Sequence, residues 1–461
     1  MGVLAVGSLV LAVIAGLAWR AWNARDDPGP EPLSSLPLYA TAAAACGLTD
    51  IETGGRPRRR TLDGRRGPLR VRIEQTVLGE EEDARRYETR IVVERREGVV
   101  PMTLRRERRG FLRRYVSSRE IEIGDKGFDD DFHVTGPHVF VRALLDARTR
   151  RLLRTLLLEI DLQVDRGRLS GALLVTMPWL LHEWALARVL GVLLEAAGRL
   201  ERPVDVARRL GENARLDPVA EVRLQNLLML VREYPERPAT GEALVAACGD
   251  ASDWIRVRAA TALGERGRAT LLEVAERDPP DDAAAAQAVT VLGNKLSPEQ
   301  ARDILGRALR TRQEGTARAC LIALAHRDDA ESVASIARVM SVEKGALAIA
   351  AADALAATGA AAAEPPLLAA LGREVGDLRV AIARALGRVG SAAAVAPLKQ
   401  AEARARAADF SRAARQAVAE IQARLPGASP GQLSLASGEA GRLSLTEDER
   451  GRLSLKEDVP R

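Results

Sequence analysis

The feature that most constrains the fold is a helical pattern that recurs about every 31 residues in the second half of the chain. Its clearest copy is DWIRVRAATALGERG, Asp253 to Gly267, where apolar residues at helical spacing end at a Leu-Gly step. Steps of 29, 32, 31 and 31 residues lead from this Leu263 to its successors, which are Leu292, Leu324, Leu355 and Leu386. Looser copies end at Ile421 and, upstream, at Leu230. Composition alone does not space five such leucines so evenly.

Each repeat also contains a second apolar helical stretch, as in ATLLEVAER and ESVASIARVM. One unit is therefore two short helices and two turns. Because such a unit cannot bury its apolar face alone, neighbouring units must stack. The spacing predicts an α-solenoid over residues 215–425, within a mostly α chain. Aromatic residues are only 3% of the chain, so its core must be built from Ala, Leu and Val.

Two copies of the pattern, DWIRVRAATALGERG and GDLRVAIARALGRVG, resemble the second helix of a HEAT repeat in its short bacterial form. The resemblance covers roughly residues 215–425 and implies a HEAT-like solenoid. In that family an Asp before the second helix and an Arg at its start form a ladder between repeats. Asp253 with Arg256, and Asp377 with Arg379, match those positions. The repeats near residues 285, 317 and 348 carry Ala there, which leaves the ladder incomplete.

The first 19 residues contain no charged side chain and span roughly 28 Å as a helix, about one bilayer core. Arg20 and Arg25 follow, which places the C-terminal side in the cytoplasm. A cleaved signal peptide is the alternative, but the run lacks a basic start and a small-residue cleavage site. We expect a transmembrane anchor over residues 1–22, single-pass in the inner membrane, with the bulk of the chain cytoplasmic. A Pro- and Arg-rich linker is expected over residues 23–64.

Residues 65–177 predict a small α+β domain of unknown role. Segments such as LRVRIEQTV and YETRIVVER alternate apolar and charged residues, the two-residue period of half-exposed strands. A Leu-rich helix is expected over Val141 to Leu157, and a hairpin with its turn at Asp165-Arg166-Gly167 follows. The layout loosely resembles an uncharacterised domain of bacterial membrane-associated proteins, which implies no activity. Residues 178–214 are expected to form connecting helices whose charged residues exclude a second membrane span.

Sequence motifs for catalysis or metal binding are not found: the chain has no GxSxG elbow between a strand and a helix, and no Walker, GxGxxG or HExxH pattern. Three scattered cysteines and four histidines argue against a disulfide framework and a zinc site. The run Asp129, Asp130 and Asp131 is expected to form a turn rather than a cation site. We expect no cofactor, no metal and no enzymatic activity.

Basic residues are concentrated at residues 51–120, which hold 20 Arg against 12 Asp and Glu. The run RPRRR is a candidate for contact with anionic lipid through Arg56, Arg58, Arg59 and Arg60. A solvated loop is the alternative. Nucleic acid is not the expected partner, because the chain also carries 63 acidic residues.

The C-terminal segment 426–461 has a period of its own. Gly431, Gly441 and Gly451 each precede x-Leu-Ser-Leu. Two Leu in ten residues cannot bury a core, so the tail is expected to be disordered when free. Its candidate docking residues, suited to adding a strand to a partner's sheet, are Leu433, Leu435, Leu443, Leu445, Leu453 and Leu455. A solvated low-complexity tail is the alternative.

Taken with the HEAT resemblance, these features predict a membrane-anchored, non-enzymatic scaffold that binds protein partners through its solenoid. HEAT arrays are usually binding scaffolds, although a minority bind DNA or carry lyase activity. The candidate binding residues on the second helices are Arg256, Arg258, Arg379 and Arg384, for which an inter-repeat ladder and a solvated face are the alternatives. The alternative functions are a HEAT-type lyase and a nucleic-acid-binding protein that uses basic helix faces.

Overall fold

The computed structural model divides the chain between Ala246 and Ala247 into two compact units, each described here by itself. The described residues are 35–56, 59–81, 84–95, 97, 99–107, 120–165, 168–175, 183–201, 203, 205–277, 281–327 and 329–424. The expected membrane anchor and the repeated tail both lie outside these ranges. Within them, no helix combines the length and the apolar character needed to cross a bilayer.

Unit 1 contains one antiparallel sheet whose strands lie in the order β1-β2-β3-β4-β8-β7-β5-β6. The β2–β3–β4 register places Leu62 opposite Ile73 and Ile73 opposite Ile91. These side chains are buried on the inner face, as the two-residue period predicts. The strands are β1 Thr49–Arg56, β2 Arg59–Arg66, β3 Leu69–Glu81, β4 Ala84–Arg95, β5 Thr103–Arg106, β6 Phe132–Thr135, β7 Asp161–Asp165 and β8 Arg168–Val175.

Eight helices of the described residues begin in unit 1. Helix α1 packs on β1 and β2, and α5 packs on β3 and β4. Helix α5 buries Leu186, Leu190 and Leu193, which confirms it as an amphipathic helix packed on a core. The helices are α1 Ser35–Ala45, α2 Lys126–Asp129, α3 His138–Leu144, α4 Ala147–Leu157, α5 Glu183–Arg199, α6 Val206–Leu216, α7 Ala220–Glu233 and α8 Pro238–Ala247.

The prediction of a linker over residues 23–64 is wrong from residue 35 onwards, because α1, β1 and most of β2 lie there. Tyr39 of α1 is buried, and its hydroxyl accepts a hydrogen bond from Gln75 of β3 and contacts Thr89 of β4 at 3.1 Å. Strand β2 pairs along its whole length with β3. Its sequence, RRTLDGRR, carries a single large apolar residue, Leu62, so the alternation that identifies a strand is too weak to detect.

The single helix expected over Val141–Leu157 is two helices, α3 and α4, which meet at Leu145 and Asp146. Asp146 caps α4, since its carboxylate accepts a hydrogen bond from the Thr149 backbone N–H at 2.8 Å. The same carboxylate binds Arg199 of α5 and Arg209 of α6. The hairpin expected after this helix is confirmed as β7 and β8.

Unit 2 stacks helix pairs. Its odd-numbered helices pack successively on one another, and each even-numbered helix packs on the odd helix after it or before it. The helices are α9 Asp253–Leu263, α10 Arg268–Glu276, α11 Asp282–Leu292, α12 Pro298–Arg310, α13 Glu314–Ala325, α14 Ala330–Val342, α15 Gly345–Thr358, α16 Glu364–Leu371, α17 Gly376–Val389, α18 Val395–Ala403 and α19 Ala408–Arg424. The odd helices begin 29 to 32 residues apart, which confirms the predicted period.

The repeated leucines are core residues, with the first as an exception. Four of them are at most 2% exposed: Leu292, Leu324, Leu355 and Leu386. Leu263, expected in an inter-helix core, is only half-buried at the end of α9. The predicted start of the array at residue 215 also differs from the observed division, because α7 packs on α3 and α6 and its Val222 joins the core of unit 1.

The glycine that follows the repeated leucine has two distinct roles. Gly264 and Gly293 have φ of +61° and +48°, a conformation that L side chains rarely adopt, and each ends its helix. Gly387 lies inside α17 instead. A Cβ placed there would stand 3.1 Å from the Ala417 Cα of α19, so glycine permits the close approach of these two helices.

Core packing on α13 can be tested with two substitutions on the same helix. Leu324→Ala removes a fully buried side chain and should cost about 2–5 kcal/mol. Ile322→Ala removes a side chain that is 62% exposed and should change the free energy of unfolding by less than about 0.5 kcal/mol. Chemical denaturation followed by circular dichroism measures both. Equal effects of the two substitutions would contradict the placement of α13.

The Asp146 network generates a pH-dependent prediction for unit 1. Burial raises the pKa of Asp146, but hydrogen bonds from Thr149 and the charges of Arg199 and Arg209 outweigh it, so the folded pKa is lowered. The stabilisation is therefore complete above the unfolded pKa of about 3.9 and is lost as pH falls through the folded value. Asp146→Asn should cost about 2 kcal/mol at pH 7 and progressively less as the pH falls below the unfolded pKa and through the lowered folded pKa.

Hydrogen exchange of peptides from residues 138–157 measures this effect, with wild type and variant compared at each pH. Asp161→Asn, at an exposed strand position, is the control and should leave the protection unchanged. A cost for Asp146→Asn that is the same at pH 7 and pH 2 would show that the carboxylate charge is not what holds the three helices.

Candidate functional site

The side chain of Arg256, a candidate binding residue, is bonded to neighbouring groups of the array itself. Its side chain is 7% exposed. The Nε donates to the Cys248 carbonyl at 3.1 Å, and the Nη2 lies 2.5 Å from the Glu273 carboxylate. Asp253 lies within 3.5 Å of Nη1 and also binds Arg277. Arg256 therefore joins neighbouring helix ends and has little capacity left for a partner.

Arg379 repeats this arrangement in α17. Its Nε donates to the Leu371 carbonyl at 3.1 Å, eight residues earlier, as Arg256 does to Cys248. Its guanidinium carbon lies 4.3 Å from the centroid of the Phe410 ring of α19, within cation–π range. Asp377 is exposed and forms no ion pair with Arg379 among the described side chains. Both arginines of the expected ladder therefore have structural roles. In each case the guanidinium donates to a backbone carbonyl eight residues earlier in the chain, at the end of the preceding helix.

The connections between successive repeats come from residues that the sequence analysis did not single out. Asp282 of α11 accepts hydrogen bonds from the backbone N–H groups of Gly315 and Thr316, at 3.0 and 2.8 Å, and so caps α13. Arg327 donates to the carbonyls of Asn294 and Leu296 at 2.7 and 2.6 Å. The sequence gives only a weak indication of these connections. Asp282 and Thr316 are 34 residues apart, and no local sequence pattern relates two residues at that distance.

Arg258 and Arg384, the other two candidates, are exposed to solvent on odd helices. The guanidinium of Arg258 lies 6.0 Å from the Trp254 ring centroid. Arg384 has no hydrogen bond or ion pair to any described residue. Of the four arginines proposed from the sequence, these two remain available to a partner.

Arg384 belongs to a line of exposed positions that we call the odd-helix row. Each member stands two residues before the repeated leucine of its helix, and the members are Thr261, Thr290, Ile322, Asp353 and Arg384. All five are exposed, and Ile322 is 62% exposed. Because packed helices lie about 8–10 Å apart, the row extends for roughly 30–40 Å.

The odd-helix row combines apolar and oppositely charged groups. The hydroxyls of Thr261 and Thr290 donate to carbonyls of their own helices at 2.7 and 2.8 Å, so neither needs a partner. Asp353 and Arg384 carry opposite charges, and neither is paired within the described chain. A surface of this kind suits contact with another polypeptide, because it offers one aliphatic anchor and two complementary charge contacts.

Three of the four candidate lipid-binding arginines lie at the end of β1 or the start of β2. Arg56 is exposed, Arg60 is half-buried, and Arg58 lies outside the described residues. Arg59 pairs with Glu74 of β3 at 2.7 Å, and hydrogen bonding to this carboxylate raises the pKa of Arg59. One of the four arginines is thus already neutralised by the sheet.

The remaining titratable candidates have structural roles. Asp129 is the last residue of α2 and accepts hydrogen bonds from the N–H groups of Ile123 and Gly124, both at 2.9 Å. The expected turn holds only Asp130 and Asp131, and Asp131 pairs with Arg154. Burial raises the pKa of Cys320 to about 12, so its thiol is protonated at neutral pH. No group of three His, Cys, Asp or Glu side chains that could hold a metal is found within the part of the chain described.

A scan against protein-family models and a search of curated proteins both find no match. Among solved structures, the chain matches human deoxyhypusine hydroxylase in complex with glycerol, at 17% sequence identity and a TM-score of 0.21. The match covers 47% of this chain and 96% of the hydroxylase chain. A similarity at this score says nothing about what this chain does.

Proposed function

We propose that this chain is a membrane-anchored, non-enzymatic scaffold in which a HEAT-like array binds a protein partner along its odd-helix row. The observation that carries the proposal is the exposure of Ile322 beside the unpaired, oppositely charged Asp353 and Arg384. Isolated exposed aliphatic side chains are common on monomers. An aliphatic side chain in line with two unsatisfied charges on a stacked, regular surface is the pattern of a recognition site.

The partner must match this spacing. From Ile322 to Arg384 the row crosses two helix spacings, roughly 16–20 Å. An extended segment covers that distance in about five or six residues, at about 3.3 Å per residue. The partner segment would therefore place an aliphatic side chain against Ile322, a basic group near Asp353 and an acidic group near Arg384.

Nucleic acid fits the row less well. A phosphate backbone is bound by several cations in succession. The odd-helix row has one cation, Arg384, and one anion, Asp353. The arginines at the start of α9 and α17, Arg256 and Arg379, are occupied by carbonyl and ring contacts.

The membrane and tail parts of the proposal rest on the sequence. The uncharged run of residues 1–19 supports an anchor that keeps the array at the inner membrane. The three Gly-x-Leu-Ser-Leu units support additional weak docking of the same partner, since linked sites raise the effective concentration. Contact of Arg56 and its neighbours with anionic lipid is compatible with an anchored chain.

Affinity purification from detergent-solubilised membranes tests the row. Ile322→Asp should reduce recovery of the partner at least tenfold, because it places a charge against the aliphatic anchor. Val342→Asp is the matched control, since Val342 of α14 is 65% exposed but lies on an even helix, and its recovery should equal wild type. Equal recovery with both variants would contradict the row. So would DNA binding that falls steeply with salt and is lost in Arg384→Glu.

Membrane fractionation tests the anchor. The full-length chain should remain with the membrane in high salt and be released by detergent, whereas a chain that begins at Asp26 should remain in the soluble fraction. The array should keep its helical circular dichroism in both forms. Release of the full-length chain by high salt alone would show that its membrane contact is only electrostatic.

A further inference from the structure

Unit 1 contains a cleft that neither the sequence motifs nor the scaffold proposal uses. It has a volume of about 540 Å³, within the range of small-molecule sites. Helix α4 forms one wall and strand β5 contributes to another. The lining residues are Arg106, Asp125, Asp131, Ala147, Arg150, Arg151, Arg154, Thr155, Leu157, Leu158, Pro218 and Val219.

The α4 wall is a single helical stripe. Its lining residues fall at spacings of three and four, which brings them to one side of the helix. These positions are Ala147, Arg150, Arg151, Arg154 and Thr155 of α4 and Leu158, which directly follows the helix. The stripe therefore presents cations along its length and ends in an aliphatic side chain.

Arg150 is a structural group of the cleft. Its side chain is 3% exposed, and its Nη1 and Nη2 donate to the two carboxylate oxygens of Asp217 at 2.9 and 3.0 Å. Its Nε donates to Asp125 at 2.8 Å. Burial acts to lower the pKa of Arg150, but these hydrogen bonds outweigh it and raise the pKa, so the group stays charged.

Arg154 is also engaged, since its Nε lies 2.8 Å from the Asp131 carboxylate. Arg106 of β5 and Arg151 of α4 differ from both. Both are exposed, and neither side chain has a hydrogen bond or ion pair to the described residues. Because Asp125 and Asp131 already accept from Arg150 and Arg154, Arg106 and Arg151 are the two arginines of the lining that form no ion pair with a described carboxylate.

Charge and shape limit what the cleft can hold. Its four arginines face three carboxylates, counting Asp217, so one positive charge is in excess. The apolar part of the lining consists of Pro218 and Val219, which follow Asp217, and of Leu157 and Leu158 at the end of α4, and Leu158 is 88% exposed. A monoanion with an aliphatic part satisfies both sides, because Arg binds carboxylates with paired N–H donors and Leu158 loses water on contact.

We propose that this cleft binds a small aliphatic carboxylate. Arg106 and Arg151 hold the carboxylate, and Leu158 with Val219 contacts the aliphatic chain. This site is separate from the odd-helix row and does not depend on the scaffold proposal.

Isothermal titration calorimetry of the full-length chain in one non-ionic detergent tests the site, with sodium octanoate as the probe. Octanoate should bind, and Arg151→Gln and Arg106→Gln should each weaken its affinity at least tenfold. Arg105→Gln is the matched control, since Arg105 is exposed on the same strand but does not line the cleft, and it should change the affinity less than twofold. Leu158→Ser should weaken octanoate binding about fivefold.

Three further probes distinguish the chemistry. Acetate and 1-octanol should each bind at least tenfold more weakly than octanoate, because each satisfies only one side of the cleft. Octyl phosphate should bind no better than octanoate. Tighter binding of octyl phosphate would assign the cleft to phosphate-headed ligands and overturn the carboxylate proposal. Equal binding of acetate and octanoate, or octanoate binding unchanged in Arg151→Gln, would also overturn it.

The variants are designed so that a loss of binding cannot be mistaken for unfolding. Arg106 and Arg151 are exposed and unpaired within the described residues, so their replacement leaves the surrounding contacts intact. Hydrogen-exchange protection of residues 138–157 should equal wild type in both variants. Loss of octanoate binding with loss of this protection in both variants would show a structural role for the two arginines and would overturn the assignment.

Discussion

The helices of unit 2 can stack because alanine stands at points where they meet. In three consecutive odd helices, α11, α13 and α15, the position occupied by Arg256 in α9 holds Ala285, Ala317 and Ala348, all at most 1% exposed. A methyl group lets helix axes approach closely at almost no cost in side-chain entropy. With aromatic residues at 3% of the chain, close approach rather than large side chains must supply the packing.

This constraint determines where polar groups can act in the array. Where alanine fills the helix contact, no arginine can join neighbouring helix ends there. The links between repeats lie instead at helix starts, as with Asp282 to Thr316, and in the connections after the helices, as with Arg327 to the Asn294 carbonyl. Exposed positions such as Ile322 are then left without structural duties, which is why the odd-helix row is available to a partner.

Unit 1 is organised differently, by buried and partly buried ion pairs around the start of α4. Asp146 lies where α3 ends and binds cations from α5 and α6. Four residues later, Arg150 binds Asp125 and Asp217. Burying a charge is costly unless every polar atom finds a partner, and here the partners hold several segments in one arrangement. The cleft follows from this arrangement, since Arg150 and Arg154 occupy its acidic groups and leave Arg106 and Arg151 free.

The sequence by itself determined the features that depend on local periodicity: the 31-residue repeat of helix pairs, the β7–β8 hairpin and the amphipathic α5. Burial on one face of a helix or strand imposes a period that neighbouring residues reveal. It missed β2, where one leucine cannot establish a period, and the break at Asp146. Only the tertiary structure decided which arginines are free. Arg256 and Arg384 occupy similar helical patterns, but the partners of Arg256 lie on adjacent helices, and Arg150 is paired with an Asp 67 residues away. An ion pair forms between groups that the fold brings together, and a local sequence pattern cannot predict which distant groups those are.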